Sequence, residues 1–210
     1  PRENPQDALI SRTNVGFMQL PEGAVIGTSS IRRETQLKRL RPDLQFKPLR
    51  GNVDTRLGKL MAGEFDAIIL AAAGLHRLDW TDKITEYLPE NLFLPAVGQG
   101  IIGIECRDDD LVLREILSQL HDQNVAVVAA AERAFSHGLG GSCETPIAAY
   151  AVLNPQNNEL TLRGRLLSLD GQQCLDVAGS APAQEGVQLA QKLVAEILAG
   201  GGASLLSAPH

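Results

Sequence analysis

The 210-residue chain is poor in several residue types, and each shortage excludes a class of protein. Aromatic residues make up only 4%, so the core must rest on Leu, Ile, Val and Ala. The three cysteines, Cys106, Cys143 and Cys174, are an odd number without close pairing, which indicates a reducing compartment and no disulfide framework. In the sequence no apolar run approaches the ~20 residues that cross a bilayer, so we expect no membrane span.

A basic excess and a metal-binding pattern are missing as well. The formal charge of −6 argues against a general nucleic-acid binder, although it leaves room for a local basic cleft. The four histidines show no metal-ligand spacing, so we expect no metal site. With 44% hydrophobic and 21% charged residues the composition is that of an ordinary globular protein, and the length allows more than one domain.

The first block, residues 1–99, alternates strands with helices. Short apolar runs at residues 24–27, 46–49 and 65–70 predict strands, and residues 31–40, 53–62 and 75–78 have helical spacing. The third strand is apolar almost throughout, which is typical of a buried parallel strand. This order predicts an α/β lobe with a parallel or mixed sheet, similar to a periplasmic-binding-protein-like lobe.

The second block, residues 122–210, has a different pattern. Residues 125–137 predict one helix of this block and residues 186–198 predict an amphipathic second, while a further helix is predicted just before the block at residues 108–120. Three strand-like runs at residues 147–153, 159–167 and 173–178 are separated by turn residues and predict an antiparallel three-stranded sheet. We therefore expect a small α+β domain. Residues 100–121 form a crossover segment, in which the apolar run at residues 101–104 predicts a strand between the domains.

Hydroxyl and guanidinium groups follow the first two predicted strands. They are Thr28, Ser29, Ser30, Arg32 and Arg33 in the first loop, and Arg50, Gly51, Asn52 and Arg56 in the second. Backbone N–H groups at a helix start favour anions, and arginine forks match carboxylates and phosphates. If the strands are parallel neighbours, both loops open on one carboxyl edge and form an anion cleft. The alternative is that these arginines are solvated helix-face charges. Arg165, in contrast, is expected to be an ordinary surface arginine.

A glycine-rich loop surrounds Cys143. In the run LGGSCETP, residues 139–146, two glycines permit turns that a Cβ forbids, and Pro146 stops a following helix from extending back. A bulky group can therefore reach this thiol, although a packed structural cysteine is the alternative. Cys106 and Cys174 fall in strand-like runs and are expected to be packed. Gln99 either presents an amide at the crossover or caps a turn.

Four motifs together resemble the hydroxymethylbilane synthase family, also called porphobilinogen deaminase. They are GTSSIRR at residues 27–33, LRGNV at 49–53, LPAVGQG at 94–100 and GGSC at 140–143. The resemblance covers nearly the whole chain and implies a three-domain transferase of tetrapyrrole (haem or chlorophyll) biosynthesis. Such an enzyme joins four porphobilinogen molecules, with loss of ammonia, into linear hydroxymethylbilane. The resemblance further implies a cytoplasmic protein (plastid in a photosynthetic eukaryote), monomeric at full length, that binds neither nucleic acid nor membrane.

The resemblance also assigns roles to residues. It implies a dipyrromethane cofactor that is joined through a thioether to Cys143. The residues that bind cofactor and substrate carboxylates would be Ser30, Arg32, Arg33, Arg50 and Arg56, with Arg77 as a weaker member. The remaining members of the site would be Thr28, Ser29, Gly51, Asn52 and Gln99.

The family's catalytic aspartate has no match in this sequence. It belongs to a first domain with a His-Ser-x-Lys-Asp-like segment, which does not occur here. We therefore expect the chain to correspond to the second and third domains, with residues 101–120 including the segment that returns to the first. By itself the chain should be inactive. A rival interpretation is a non-enzymatic anion-binding module, which has no use for the Cys143 loop.

Overall fold

A computed structural model describes residues 1–142 and 145–206. The first part of the chain forms β1 (Asp7–Ser11), β2 (Val25–Gly27), α1 (Ile31–Leu40), β3 (Gln45–Lys47), α2 (Val53–Met61), β4 (Ala67–Ala71), α3 (Ala72–Arg77) and β5 (Glu86–Tyr87). The second part forms α4 (Leu111–Ser118), α5 (Gln123–Gly138), β6 (Ile147–Asn154), β7 (Glu159–Leu167), β8 (Cys174–Pro182), α6 (Gly186–Ile197) and α7 (Ala203–Leu206).

The first sheet is mixed, with the strand order β3-β2-β4-β1-β5. Strand β2 pairs in parallel with β3 and β4, whereas β1 runs antiparallel to β4 and β5. The three parallel strands were predicted to within two residues of their ends, but β1 and β5 were not predicted. Because β1 is antiparallel, its first residue, Asp7, lies opposite Ala71 at the carboxyl end of β4.

Both faces of this sheet are covered. Along β4, Ala67 and Ile69 join one core cluster and Ile68 joins the other, as the alternation of side chains in a strand requires. Leu37 of α1 packs into the first cluster, and Leu60 of α2 packs into the second. Helices on both faces explain why the strand is apolar throughout, and the α/β prediction is confirmed.

The second sheet is antiparallel, in the order β6-β7-β8, and helices α5 and α6 pack on one of its faces. Phe135 of α5 lies against β7 at Gly164, where a Cβ would come within 2.2 Å of the ring. The ring therefore fills space that only glycine leaves open. This α+β domain matches the prediction from the sequence.

The predicted strand in the crossover segment is wrong. Residues 101–107 have no regular secondary structure, and the Ile102 and Ile104 side chains are 63% and 57% exposed. Among the described residues no strand pairs with this run, and an apolar run without a pairing partner does not form a sheet. The nearby residues Leu111, Val112 and Ile116 of α4 are also exposed.

One long apolar helical stretch was not predicted from the sequence. The helical stretch from Ala183 to Leu206 has 24 residues and, by length and composition alone, is long and apolar enough to cross a membrane. Its first half, α6, buries Leu189, Leu193 and Ile197 in the core of the C-terminal domain. At Gly201 a φ of 99° interrupts the helix. These contacts are those of a core helix.

Arg165 is not the surface arginine that the sequence predicted. It is 8% exposed, and its Nε and Nη2 donate to the two carboxylate oxygens of Asp176 at 2.6 and 2.8 Å. Its Nη1 donates to Gln36 Oε1 of α1 at 3.0 Å and to the Leu92 carbonyl at 2.7 Å. The side chain therefore ties β7 of the C-terminal domain to the first domain.

We expect the Arg165–Asp176 pair to give the protein a specific acid sensitivity. Burial raises the pKa of the Asp176 carboxyl, but the hydrogen bonds and charge of Arg165 outweigh burial and hold it below its ordinary 3.8. A lowered folded pKa stabilises the fold above the unfolded value, and this stability is lost as the pH falls through the folded pKa. Because the carboxylate is half exposed, Asp176→Asn should reduce the free energy of unfolding by only about 1 kcal/mol at neutral pH.

Urea unfolding at several pH values checks this prediction. The difference between Asp176→Asn and the unchanged protein should persist from pH 7 to pH 5 and close below roughly pH 4. Asp79→Asn is the control, because Asp79 is exposed and makes no ion pair within the described part of the chain. A difference that stays constant down to pH 3 would contradict the assignment.

Candidate functional site

The predicted site residues meet at the carboxyl edge of the first sheet. Strands β2, β3 and β4 are parallel, so the loops that follow them open on the same edge. The structure therefore places residues 28–30 and 48–52 side by side at the starts of α1 and α2. The convergence of these two loops, predicted from the sequence, is observed.

The three hydroxyl residues of the first loop shape its backbone. Ser30 caps α1 by accepting from the Arg33 N–H at 3.4 Å, and Thr28 Oγ1 accepts from the Ser30 N–H at 3.1 Å. The Ser29 hydroxyl donates to the Leu49 carbonyl and accepts from the Leu49 N–H, both at 3.0 Å. Ser29 therefore fixes the loop after β2 to the chain that leaves β3.

Arg32 and Arg33 enclose a carboxylate that the sequence analysis did not single out. Asp7 is fully buried, and its Oδ1 accepts from Arg33 Nε at 2.8 Å and lies 2.7 Å from Arg33 Nη2. Its Oδ2 lies 2.8 Å from Arg32 Nη1. The same Arg32 nitrogen donates to the Leu94 carbonyl, and Arg33 Nη1 donates to the Ile69 carbonyl. The two guanidiniums are thus fixed by β1, β4 and the chain at Leu94.

Asp7 stays ionised in this setting. Burial raises the pKa of its carboxyl, but the charges of Arg32 and Arg33 and the hydrogen bonds to it outweigh burial, so the net pKa is lowered. The carboxylate therefore compensates part of the positive charge of two arginines that are almost inaccessible to solvent.

Arg50 and Arg56 carry positive charge that no carboxylate compensates within the described residues. Arg50 is exposed, and Arg56 is partly buried with its Nε donating to the Gly51 carbonyl at 2.8 Å. Burial and the like charge of Arg33 lower the pKa of Arg56. Arg33 and Arg56 therefore repel one another, and the negative charge of a ligand carboxylate would reduce this repulsion. Arg77 is exposed at the end of α3, where its charge acts on Glu3.

The side chains of Asn52 and Gln99 form hydrogen bonds within the protein in this structure. Asn52 caps α2 by accepting from the Thr55 N–H at 2.9 Å. Gln99 Nε2 donates to the Pro5 carbonyl at 2.5 Å and to Asp7 Oδ1 at 3.2 Å. Of the two alternatives for Gln99, the amide thus lies at the crossover and supports the Asp7 carboxylate.

Cys143 lies outside the described residues, but the chain before it is defined. Helix α5 ends at Gly138, and Gly140 has a φ of 66°. A Cβ at Gly141 would come within 2.9 Å of the Ser136 carbonyl oxygen, so both glycines are required by the backbone. A groove of about 500 Å³ beside this turn is lined by Arg133, His137 and Gln191, among others. The predicted bend is confirmed up to residue 142.

The other candidates from the sequence contribute no separate site. In the described part of the chain no three metal-binding side chains cluster. His76 bridges Glu3 at 3.0 Å and the Tyr87 hydroxyl at 2.8 Å on the surface. Cys106 and Cys174 are free and only partly buried, so the prediction that strands pack them is wrong for Cys106, which lies in the irregular crossover.

A second buried carboxylate, Glu132, was also missed. It is fully buried and pairs with Arg2 Nη1 at 2.6 Å, while it accepts from the N–H groups of Gly98 and Ala151 at 2.7 and 2.8 Å. It joins α5 to β6, to the chain at Gly98 and to the chain before β1. An Asp or Glu at the start of an apolar strand or inside an apolar helix face, as at both positions, is the signal that could have revealed them.

Fold and site together define a two-domain protein with an arginine-lined edge on its α/β domain and a glycine-rich turn after α5 in its α+β domain. Residues 1–115 match the family model "Porphobilinogen deaminase, dipyromethane cofactor binding domain", and residues 126–199 match "Porphobilinogen deaminase, C-terminal domain". The chain belongs to the porphobilinogen deaminase family.

Curated relatives support this assignment. The chain is 46% identical over 197 residues to the porphobilinogen deaminase of Brevibacillus brevis and 48% identical over 196 residues to that of Bacillus cereus. These alignments cover 93% and 92% of the chain but 63% of each relative. The enzyme of Syntrophobacter fumaroxidans is 44% identical over 98% of the chain and 66% of its own length. The chain therefore spans just under two thirds of the relatives that it matches.

Proposed function

We propose that this chain forms the substrate-binding and cofactor-bearing part of a hydroxymethylbilane synthase. The enzyme would join four porphobilinogen molecules, with loss of ammonia, into linear hydroxymethylbilane for tetrapyrrole biosynthesis. The observation that carries the proposal is the arginine-lined edge, because porphobilinogen has an acetate and a propionate group. Each addition therefore brings two carboxylates, for which guanidinium forks are suited.

Within this proposal the first domain is a periplasmic-binding-protein-like lobe. Its mixed sheet, with parallel strands that present their loops at one edge, supports that comparison. Arg50 and Arg56 would take the outer carboxylates, and Arg32 and Arg33, held by Asp7, the inner ones. Arg77, at the end of the helix that follows β4, would contribute a longer-range charge.

The residues present fit a dipyrromethane cofactor. Its acetate and propionate groups require cations, and Arg50 and Arg56 have no carboxylate partner within the described residues. We propose that Cys143 holds the group through a thioether, and that the two glycines before it leave room for the linkage. The bound group would supply the pyrrole end on which the product is built.

Residues 100–121 are proposed to pack against a further domain. Ile102, Ile104, Leu111, Val112 and Ile116 are each more than half exposed. Longer relatives have additional chain that could cover them. A protein of that length would be a monomer that binds neither nucleic acid nor membrane and carries its catalytic aspartate in the added domain.

Alanine substitution of the arginines tests the proposed function. In a protein of the relatives' length, Arg32→Ala, Arg33→Ala, Arg50→Ala and Arg56→Ala should each cost about 1.5–3 kcal/mol in transition-state binding, measured as kcat/KM for porphobilinogen. Lysine should restore only part of the loss, because the planar fork is missing.

Arg12→Ala is the matched control for this series. Arg12 makes an exposed ion pair with Asp66 at the opposite edge of the sheet, at 3.0 Å. Such a pair contributes little to stability, so turnover should stay near normal. If the four cleft variants kept normal turnover and cofactor content, the rival interpretation of a plain anion-binding module would gain and the proposal would fail.

A further inference from the structure

The Asp7 carboxylate is built into the anion site, although no sequence motif includes it. Its Oδ1 is shared by Arg33 and Gln99, whereas Oδ2 has the Arg32 ion pair at 2.8 Å and no well-aligned hydrogen bond among the described residues. Oδ1 therefore accepts several hydrogen bonds, while Oδ2 is held mainly by its ion pair with Arg32.

The charge balance around Asp7 is uneven. Four guanidiniums line the edge, those of Arg32, Arg33, Arg50 and Arg56, and Asp7 is the carboxylate that pairs with the two inner ones. A buried guanidinium without a counter-charge is strongly unfavourable. Without a ligand, Asp7 supplies the negative counter-charge for the two inner arginines. When a ligand enters the site, Asp7 repels its carboxylates.

We propose that Asp7 is an internal counter-ion that holds the forks of Arg32 and Arg33 in place and limits how tightly the site retains ligand carboxylates. The inference rests on the proposed function, because a growing chain that gains two carboxylates at each addition must also leave each position. Binding that is equally strong before and after the reaction would slow this movement. Asp7 touches no reacting atom and acts through the two arginines as a positioning residue.

Citrate binding provides a readout that is independent of turnover. Isothermal titration of the chain with citrate, at low and at roughly physiological salt, would compare the unchanged protein with Asp7→Asn and Glu132→Gln. Glu132 is the matched control, because it too is fully buried and paired with an arginine, Arg2, whereas its carboxylate makes no contact with Arg32 or Arg33 among the described residues. Both variants should lose thermal stability.

Only Asp7→Asn should change citrate binding. Removal of one negative charge should tighten binding roughly threefold to tenfold at low salt, and screening should reduce this gain at physiological salt. Equal affinities in Asp7→Asn and Glu132→Gln, or weaker binding in Asp7→Asn, would overturn the inference while leaving the carboxylate site intact. If the unchanged chain bound no citrate, both the inference and the proposed carboxylate site would fall.

A measurement on the unchanged protein decides the matter if Asp7→Asn does not fold. Arg33 Nε–H donates to Asp7 Oδ1 at 2.8 Å, so its NMR signal should stay protected from exchange with and without citrate. Loss of protection when citrate binds would show that Asp7 leaves the fork, and this would overturn the inference.

Discussion

A protein of the relatives' length in which Cys143 is replaced by alanine is expected to carry no dipyrromethane and to make no hydroxymethylbilane. Alanine has no sulfur to form the thioether. The other two thiols should not substitute for it. Burial, together with the charge of Asp176, raises the pKa of the Cys174 thiol, which lowers its thiolate fraction, and Cys106 lies in the crossover segment.

The colour reaction of pyrroles with Ehrlich's reagent and a turnover assay measure this effect. Cys174→Ala is the control and should keep both the colour and the turnover. A normal colour in Cys143→Ala would mean that another residue holds the cofactor, and the role of the glycine-rich loop would have to be abandoned.

The 210-residue protein by itself is expected to make no hydroxymethylbilane. Within residues 1–142 and 145–206 two carboxylates are fully buried, Asp7 and Glu132, and both are paired with arginines and are not placed as free acids. Loss of a general acid or base alone costs on the order of 10²–10⁴-fold in rate. The exposed side chains of Ile102 and Ile104 should in addition favour self-association, because exposed apolar surface is unfavourable in water.

The assay supplies porphobilinogen to the purified chain and measures uroporphyrin after acid oxidation. The same assay on a protein of the relatives' length is the positive control. Turnover of the 210-residue chain at the control rate would mean that an acid within it, such as Asp54 or Glu105, does the chemistry. The proposed division of labour between domains would then be wrong.

Much of the fold follows from local sequence patterns. The helix Ile31–Leu40 was predicted with its exact ends, because Ser30 caps its start and its apolar positions recur at helical spacing. Strand β1 was missed because its partner β4 lies about sixty residues further along the chain and runs antiparallel to it. Long-range pairing of this kind leaves no local signal. Residues 101–104 show the reverse error. Their composition is that of a strand, but no strand among the described residues pairs with them.

The sequence predicted the arginines of the site but not the carboxylate that holds two of them. The loop positions placed Arg32, Arg33, Arg50 and Arg56 at one edge because parallel strands share their carboxyl ends. The sequence could not show that Asp7 would lie between two of them, since an antiparallel strand brings its first residue to that same edge.

Arg165 was misjudged for a related reason. Its strand alternates apolar and polar residues, which usually indicates one solvent-facing side. Here the first domain covers the Arg165 end of the polar side through Gln36 and Leu92, whereas Glu159 and Thr161 on the same side stay exposed. An alternating pattern fixes which residues share a face, but it does not show what covers that face.

We propose that this chain carries the cofactor-bearing cysteine and the carboxylate site of a porphobilinogen deaminase. The intact mass of the protein at the relatives' length, followed by mass mapping of its peptides, tests this claim most directly. We predict a mass above that of the bare polypeptide by one dipyrromethane group, with the added mass on the peptide that contains Cys143. A bare mass, or an adduct on Cys106 or Cys174, would contradict it.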